Sequence, residues 1–146
     1  MSPLEIAVLR RKLSRIVESL SDLKVLHGMT IEAWKADAML QAAAERWFHL
    51  CVDAAIHLNG LLLVGLGHPA PADGYLSFLE LARRTKIIDA DLAAELAPSV
   101  GLRNRLVHRY EDLDDALVLK GIGEALRHFP RYVELVSKYL EGLGAP

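Results

Sequence analysis

The sequence predicts an all-α protein, an up-and-down bundle of four to six helices forming a single domain over residues 1–146. Three observations carry this. Apolar residues recur at helical spacing over long stretches, no alternating run is long enough for a sheet, and Gly and Pro collect in one loop near the middle. The 146 residues suffice for one core and are too few for two ordinary domains. With 52% hydrophobic and 25% charged residues, the composition is that of a packed globule rather than a disordered chain.

The first helix starts at Ser2-Pro3, a cap followed by a first-turn proline, and carries Leu9, Leu13, Ile16, Leu20 and Leu23 up to a stop at Gly28. Thr30 caps a long second helix that runs through Trp34, Leu40, Trp47, Ala54 and Leu58 without a breaker until Gly60, and Leu61 to Leu66 extend it. Gly65, Gly67, Pro69, Pro71 and Gly74 then mark the loop between two helical halves. Residues Tyr75 to Arg84 read as a short third helix, and Asp89 caps a fourth bearing Leu92, Leu96, Val100 and Leu102. Pro98 and Gly101 inside that stretch predict a kink or a restart. Asp112 or Asp114 starts a last helix that reaches Leu140, with a bend expected at Pro130.

Composition also narrows function. Cys51 is the only cysteine, which removes an internal disulfide and a cysteine-based zinc site. A net charge of -2 and a pI near 6.3 provide no global basic field, so any RNA contact must be local. Basic clusters occur at Arg83, Arg84 and Lys86, at Arg103, Arg105 and Arg109, and at Arg127, His128 and Arg131; each alone reads as a solvated helix face. No apolar run reaches the roughly 18 residues that span a bilayer. The N-terminus, with Glu5 and Arg10 to Lys12, lacks a signal-peptide layout, and a cytoplasmic protein without a membrane partner is expected.

The least generic segment is Gly101-Leu-Arg-Asn-Arg-Leu-Val-His-Arg-Tyr110. Arg103 and His108 stand five apart, which the helical reading places on neighbouring faces within reach of one phosphate. The pair suits phosphodiester cleavage. An imidazole with an unperturbed pKa of about 6.5 moves protons near neutral pH. A guanidinium holds two phosphate oxygens and stabilises the charge that builds on them.

Arg103, four residues, His108, one residue, Tyr110, with Asn104 directly after the arginine, resembles the R-x-x-x-x-H-x-Y signature of the HEPN superfamily. Within it the chain is most similar to the HepT toxins, which are paired with minimal nucleotidyltransferase antitoxins of the MntA kind. The similarity extends to the long second helix with its carboxylates, the Gly/Pro loop, the short helix and the acidic turn Glu111 to Asp115. The resemblance implies a HEPN-like dimer and a metal-independent ribonuclease without cofactor, acting on RNA, with tRNA the substrate class. A ribose 2′-hydroxyl would attack, Arg103 and His108 would be the catalytic pair, and Asn104 would support them. It also implies that the antitoxin silences the toxin by transferring AMP to Tyr110, where a bulky anion beside His108 would occupy the place of the substrate phosphate. The chain departs from some relatives in carrying Arg105 where they have a further tyrosine, and Arg105 and Arg109 are then candidate RNA contacts.

A second set, Glu45, His49, Asp53 and His57, recurs every four residues on the long helix and lines one face. Three such ligands on a straight helix span about 12 Å, too far for one ion, and two alone lack the adjacent glutamate of a zincin helix. The set reads instead as a polar stripe at the dimer cleft, in which Asp53 orients His108 or pairs with an arginine, by analogy with family members that carry an acidic residue here. His27, His68 and His128 read as surface or helix-end residues. Trp34, Trp47, Phe48, Phe78 and Tyr75 read mostly as core or interface, and Cys51 as a small buried residue. The alternative to an enzyme is a non-catalytic helical module that docks a nucleotidyltransferase and presents substrate to it. A purely structural oligomerisation domain leaves the Arg103 to Tyr110 run unexplained.

Overall fold

Helix caps and breakers set the element boundaries. A computed structural model describes residues 1–108 and 113–144, and these carry seven α-helices and no strand. Six of the helices have seven residues or more, and one is a single turn. Helix α1 (Pro3–Leu23) opens on a capping box: the Ser2 hydroxyl accepts from the Glu5 N–H at 3.2 Å, and the Glu5 carboxylate accepts from the Ser2 N–H at 2.6 Å. All five leucine and isoleucine positions of the predicted stripe are buried. A 3-10 turn (Lys24–Leu26) follows, and Gly28 adopts the left-handed φ of 72° that ends the segment.

The single helix expected from Thr30 is two helices. Thr30 caps the one-turn α2 (Ile31–Lys35), and the chain breaks before α3 (Ala38–Gly65). The reason is Asp37, whose side chain accepts from the Leu40 N–H at 2.9 Å and so begins a new helix where apolar spacing alone continued the old one. Gln41 spans the break by donating to the Trp34 carbonyl at 2.6 Å. Gly60 does not stop α3. A mid-helix glycine costs only about 1 kcal/mol relative to alanine, and the burial of Leu58, Leu62 and Leu63 around it outweighs that.

Helix α4 (Gly74–Thr85) is capped by Asp73 and closed by Lys86, which takes a left-handed φ of 59°. Asp89 caps α5 (Ala90–Leu96), and Pro98 restarts the chain as α6 (Pro98–Val107), so the predicted kink is a restart. Of the two candidate starts for α7 (Asp115–Gly144), Asp114 supplies a cap, accepting from the Ala116 N–H at 2.8 Å; Asp112 lies outside the described residues. The helix runs through Pro130 without interruption.

Helix α3 lies at the centre, with α1 along its length and α4 and α6 against its other faces; α7 packs on α1, α2, α5 and α6. An 18-residue stretch of α3 is long and apolar enough to cross a membrane by length and composition, contrary to the sequence expectation, which overlooked how few charges interrupt it. Half of that stretch is buried against the other helices, the pattern of a core helix. Phe78, Phe129 and Tyr132 meet edge to face with centroids 5.8–6.2 Å apart and join α4 to α7. The Tyr132 hydroxyl donates to Asn59 at 2.6 Å, and Asn59 donates to Ser77 at 3.1 Å, so one buried polar chain links α7, α3 and α4. Trp34, fully buried, donates to Asp115 at 3.1 Å and ties α2 to the start of α7.

Two outcomes follow from this core. Tyr132→Phe leaves the buried Asn59 oxygen without its donor, and equilibrium urea unfolding should show a loss of about 1–3 kcal/mol with an unchanged slope. Burial pushes the Cys51 thiol up from its ordinary 9.0 to about 12. Native protein should therefore resist a thiol reagent at pH 8 that labels the urea-unfolded chain at once. Above about pH 9 the unfolded thiol ionises while the folded one does not, so its contribution to stability declines as pH rises through that value.

Candidate active site

Helix α6 is short and fixed at both ends. Pro98 sets its start, and at its other end His108 leaves helical geometry (φ -102°, ψ 56°) while its N–H still donates to the Asn104 carbonyl at 3.0 Å. The face toward the bundle is seated by Val100 and Leu106, and Leu102 closes onto Gly121 of α7, where a Cβ would collide with a Leu102 methyl. This close approach sets the distance between α6 and α7 beside Arg103.

Arg103 is held from two directions. Its Nη1 donates to Asn104 Oδ1 at 2.7 Å within α6, and its Nη2 donates to Asp53 Oδ1 on α3. Of the two roles the sequence left open for Asp53, the structure thus puts the carboxylate on an arginine, Arg103. The side chains of Arg103 and Asp53 keep 25% and 36% of their surface exposed. Two of the five guanidinium donors are used by these bonds, and Nε is buried with no partner among the described residues.

Asn104 serves both candidate catalytic residues, its side chain binding Arg103 and its backbone carbonyl binding the His108 N–H. Had the helix continued, five residues would turn the two side chains about 140° apart, which corrects the neighbouring-face expectation. The helix ends at Val107, and His108 is released from that phase and exposed. Arg105 is exposed in the last turn of α6. Arg109 and Tyr110 lie outside the described residues.

The polar stripe of α3 contributes more than Asp53. His49 Nε2 lies 3.7 Å from Asp53 Oδ2, and His49 Nδ1 is buried without a partner among the described residues. The i, i+4 spacing carried this contact in the sequence, yet the reading of the stripe gave His49 no role. His57 is exposed. Among the described residues, no three His, Cys, Asp or Glu side chains are grouped so that one metal ion would meet them all. His128, read as without a partner at a telling spacing, stands 2.8 Å from Glu95 on α5 and 3.1 Å from Glu124 one turn before it, an i, i+4 pair plus a contact that only the fold brings. Trp34, Phe48 and Phe78 are buried, Trp47 is partly so, and Tyr75 is 48% exposed.

The fold agrees with comparisons to known proteins. Residues 6–136 match the family model described as Ribonuclease HepT-like. The tRNA nuclease HepT of Aphanizomenon flos-aquae is 33% identical over 140 residues, covering 96% of this chain and 95% of that protein. The mRNA nuclease HepT of Shewanella oneidensis is 27% identical over 134 residues, 89% of this chain and 96% of that one. Among solved structures, the tri-AMPylated Shewanella oneidensis HEPN toxin in complex with its MNT antitoxin superposes with a TM-score of 0.79 at 22% identity, covering 94% of this chain and 99% of the other. A family-model match over residues 6–136, 33% identity to a HepT nuclease over nearly the whole chain, and the all-helical fold place the chain in the HepT-like ribonuclease family.

Proposed function

We propose that this chain is the toxin of a toxin–antitoxin pair, a metal-independent ribonuclease of the cytoplasm that acts on tRNA as a one-domain homodimer. The observation that carries the reading is the placement of Arg103 on a short, anchored helix one turn before the exposed cap residue His108. The likeness to a named tRNA nuclease supports the substrate class.

Arg103 and His108 are the catalytic residues. The guanidinium, prevented from swinging by Asn104 and Asp53, receives the scissile phosphate through its remaining N–H groups and stabilises the charge that develops there. His108 exchanges the proton of the attacking 2′-hydroxyl or of the leaving oxygen. Asn104 and Asp53 support the pair, and Arg105 and Arg109 contact the RNA backbone. In the homodimer two such sites share one cleft, which gives a weakly acidic chain a locally basic surface. A partner nucleotidyltransferase of the MntA kind inactivates the enzyme by transferring AMP to Tyr110. The AMPylated toxin bound to an antitoxin among the similar structures supports this partner and this modification.

The test is cleavage of purified tRNA in the presence of chelator by unmodified wild-type, Arg103→Ala and His108→Ala proteins. Each substitution should lower kcat by about a hundredfold or more while each protein still sediments at twice the 16.1 kDa chain mass. An inert wild type whose mass shows no AMP would favour the substrate-docking alternative. Tyr110→Phe should keep its cleavage activity and gain no mass when incubated with the partner nucleotidyltransferase and ATP. A mass gain would move the modification to another residue.

A further inference from the structure

Asp53 is a short side chain with 36% of its surface exposed, and on a helix such a carboxylate has more than one accessible rotamer. In the one adopted, Oδ1 accepts from Arg103. The other oxygen, Oδ2, faces His49 Nε2 at 3.7 Å, one turn earlier on α3. That separation exceeds a normal hydrogen bond and is an electrostatic contact between a half-buried imidazole and a partly exposed carboxylate.

The orientation of the His49 ring follows from its surroundings. Its Nδ1 is buried with no partner among the described residues, and a buried N–H without an acceptor is more costly than a bare lone pair. The Nε2 edge of the ring is therefore the one turned to Asp53. Neither ring nitrogen is then presented to substrate, since one faces the carboxylate and the other is enclosed. Glu45, one turn before His49, and His57, one turn after Asp53, complete the stripe, and Arg103 meets it from α6 at Asp53.

We propose that His49 is a positioning residue for RNA cleavage, holding the Asp53 carboxylate in the rotamer that fixes Arg103. The series runs from His49 to Asp53 within α3, across to Arg103 on α6, and back to Asn104. The functional consequence rests on the ribonuclease reading above; the structural one, the ordering of Arg103, does not.

The experiment uses the full-length protein in four variants, His49→Ala, His49→Gln, Asp53→Ala and the His49→Ala/Asp53→Ala double, with kcat and KM measured on the same tRNA. His49→Ala should lower kcat roughly tenfold with KM within about twofold. His49→Gln, which retains an N–H donor near the Nε2 position, should recover most of that loss. The double variant should be no slower than Asp53→Ala alone, because His49 acts only through Asp53. A His49→Ala enzyme as fast as wild type, losses that multiply in the double, or no recovery with glutamine would each overturn the proposal. A second readout is independent of activity: nitrogen-15 relaxation of the Arg103 Nε–H group should show lost order in His49→Ala and Asp53→Ala and retained order in His49→Gln. If wild type cleaves no RNA, the ribonuclease reading fails, and the relaxation arm still decides whether His49 holds Arg103.

Discussion

The Asp53–Arg103 pair spans the central helix α3 and the short α6, and the candidate site depends on it. Its contribution to stability is small. Partly exposed ion pairs are worth about 0–1 kcal/mol, and the core of leucines and aromatics holds the bundle without it. Its contribution to geometry is large. An arginine has one of the freest side chains, and without a fixed carboxylate the guanidinium would sample solvent rather than one direction. The pair converts the rigidity of α3, which is packed against α1, α4 and α6, into an orientation of one guanidinium.

The helix positions were legible in the sequence wherever a local cap agreed with the apolar period. Ser2, Asp89 and Pro98 mark boundaries that the structure keeps, because capping and proline chemistry act within a single turn. The break at Asp37 was missed because apolar spacing runs through it, and only the side chain's bond to the Leu40 N–H declares the new start. Gly60 misled in the opposite direction. A glycine is a weak breaker when the leucines on either side are buried.

The site was legible in part, and for a physical reason. Arg103, Asn104 and His108 are close in sequence, so spacing places them near one helix end. The pairing of Asp53 with an arginine was anticipated only by family analogy, as one of two roles, because a contact across fifty residues is a product of packing that the spacing within α3 does not encode. The contact of His128 with Glu95 likewise exists only once α5 lies against α7. The departure of His108 from the helix was also hidden, since the stop at Val107 is not announced by a glycine or a proline.

The chemistry assigned to this site fixes the ends of its products. Attack by a neighbouring 2′-hydroxyl, assisted by an imidazole and a guanidinium, leaves a 2′,3′-cyclic phosphate on one fragment and a 5′-hydroxyl on the other. Mass spectrometry of the tRNA fragments made in chelator is the most direct measurement. The account predicts cyclic phosphate and 5′-hydroxyl ends. Fragments with 3′-hydroxyl and 5′-phosphate ends would mean that water is the nucleophile and would contradict it.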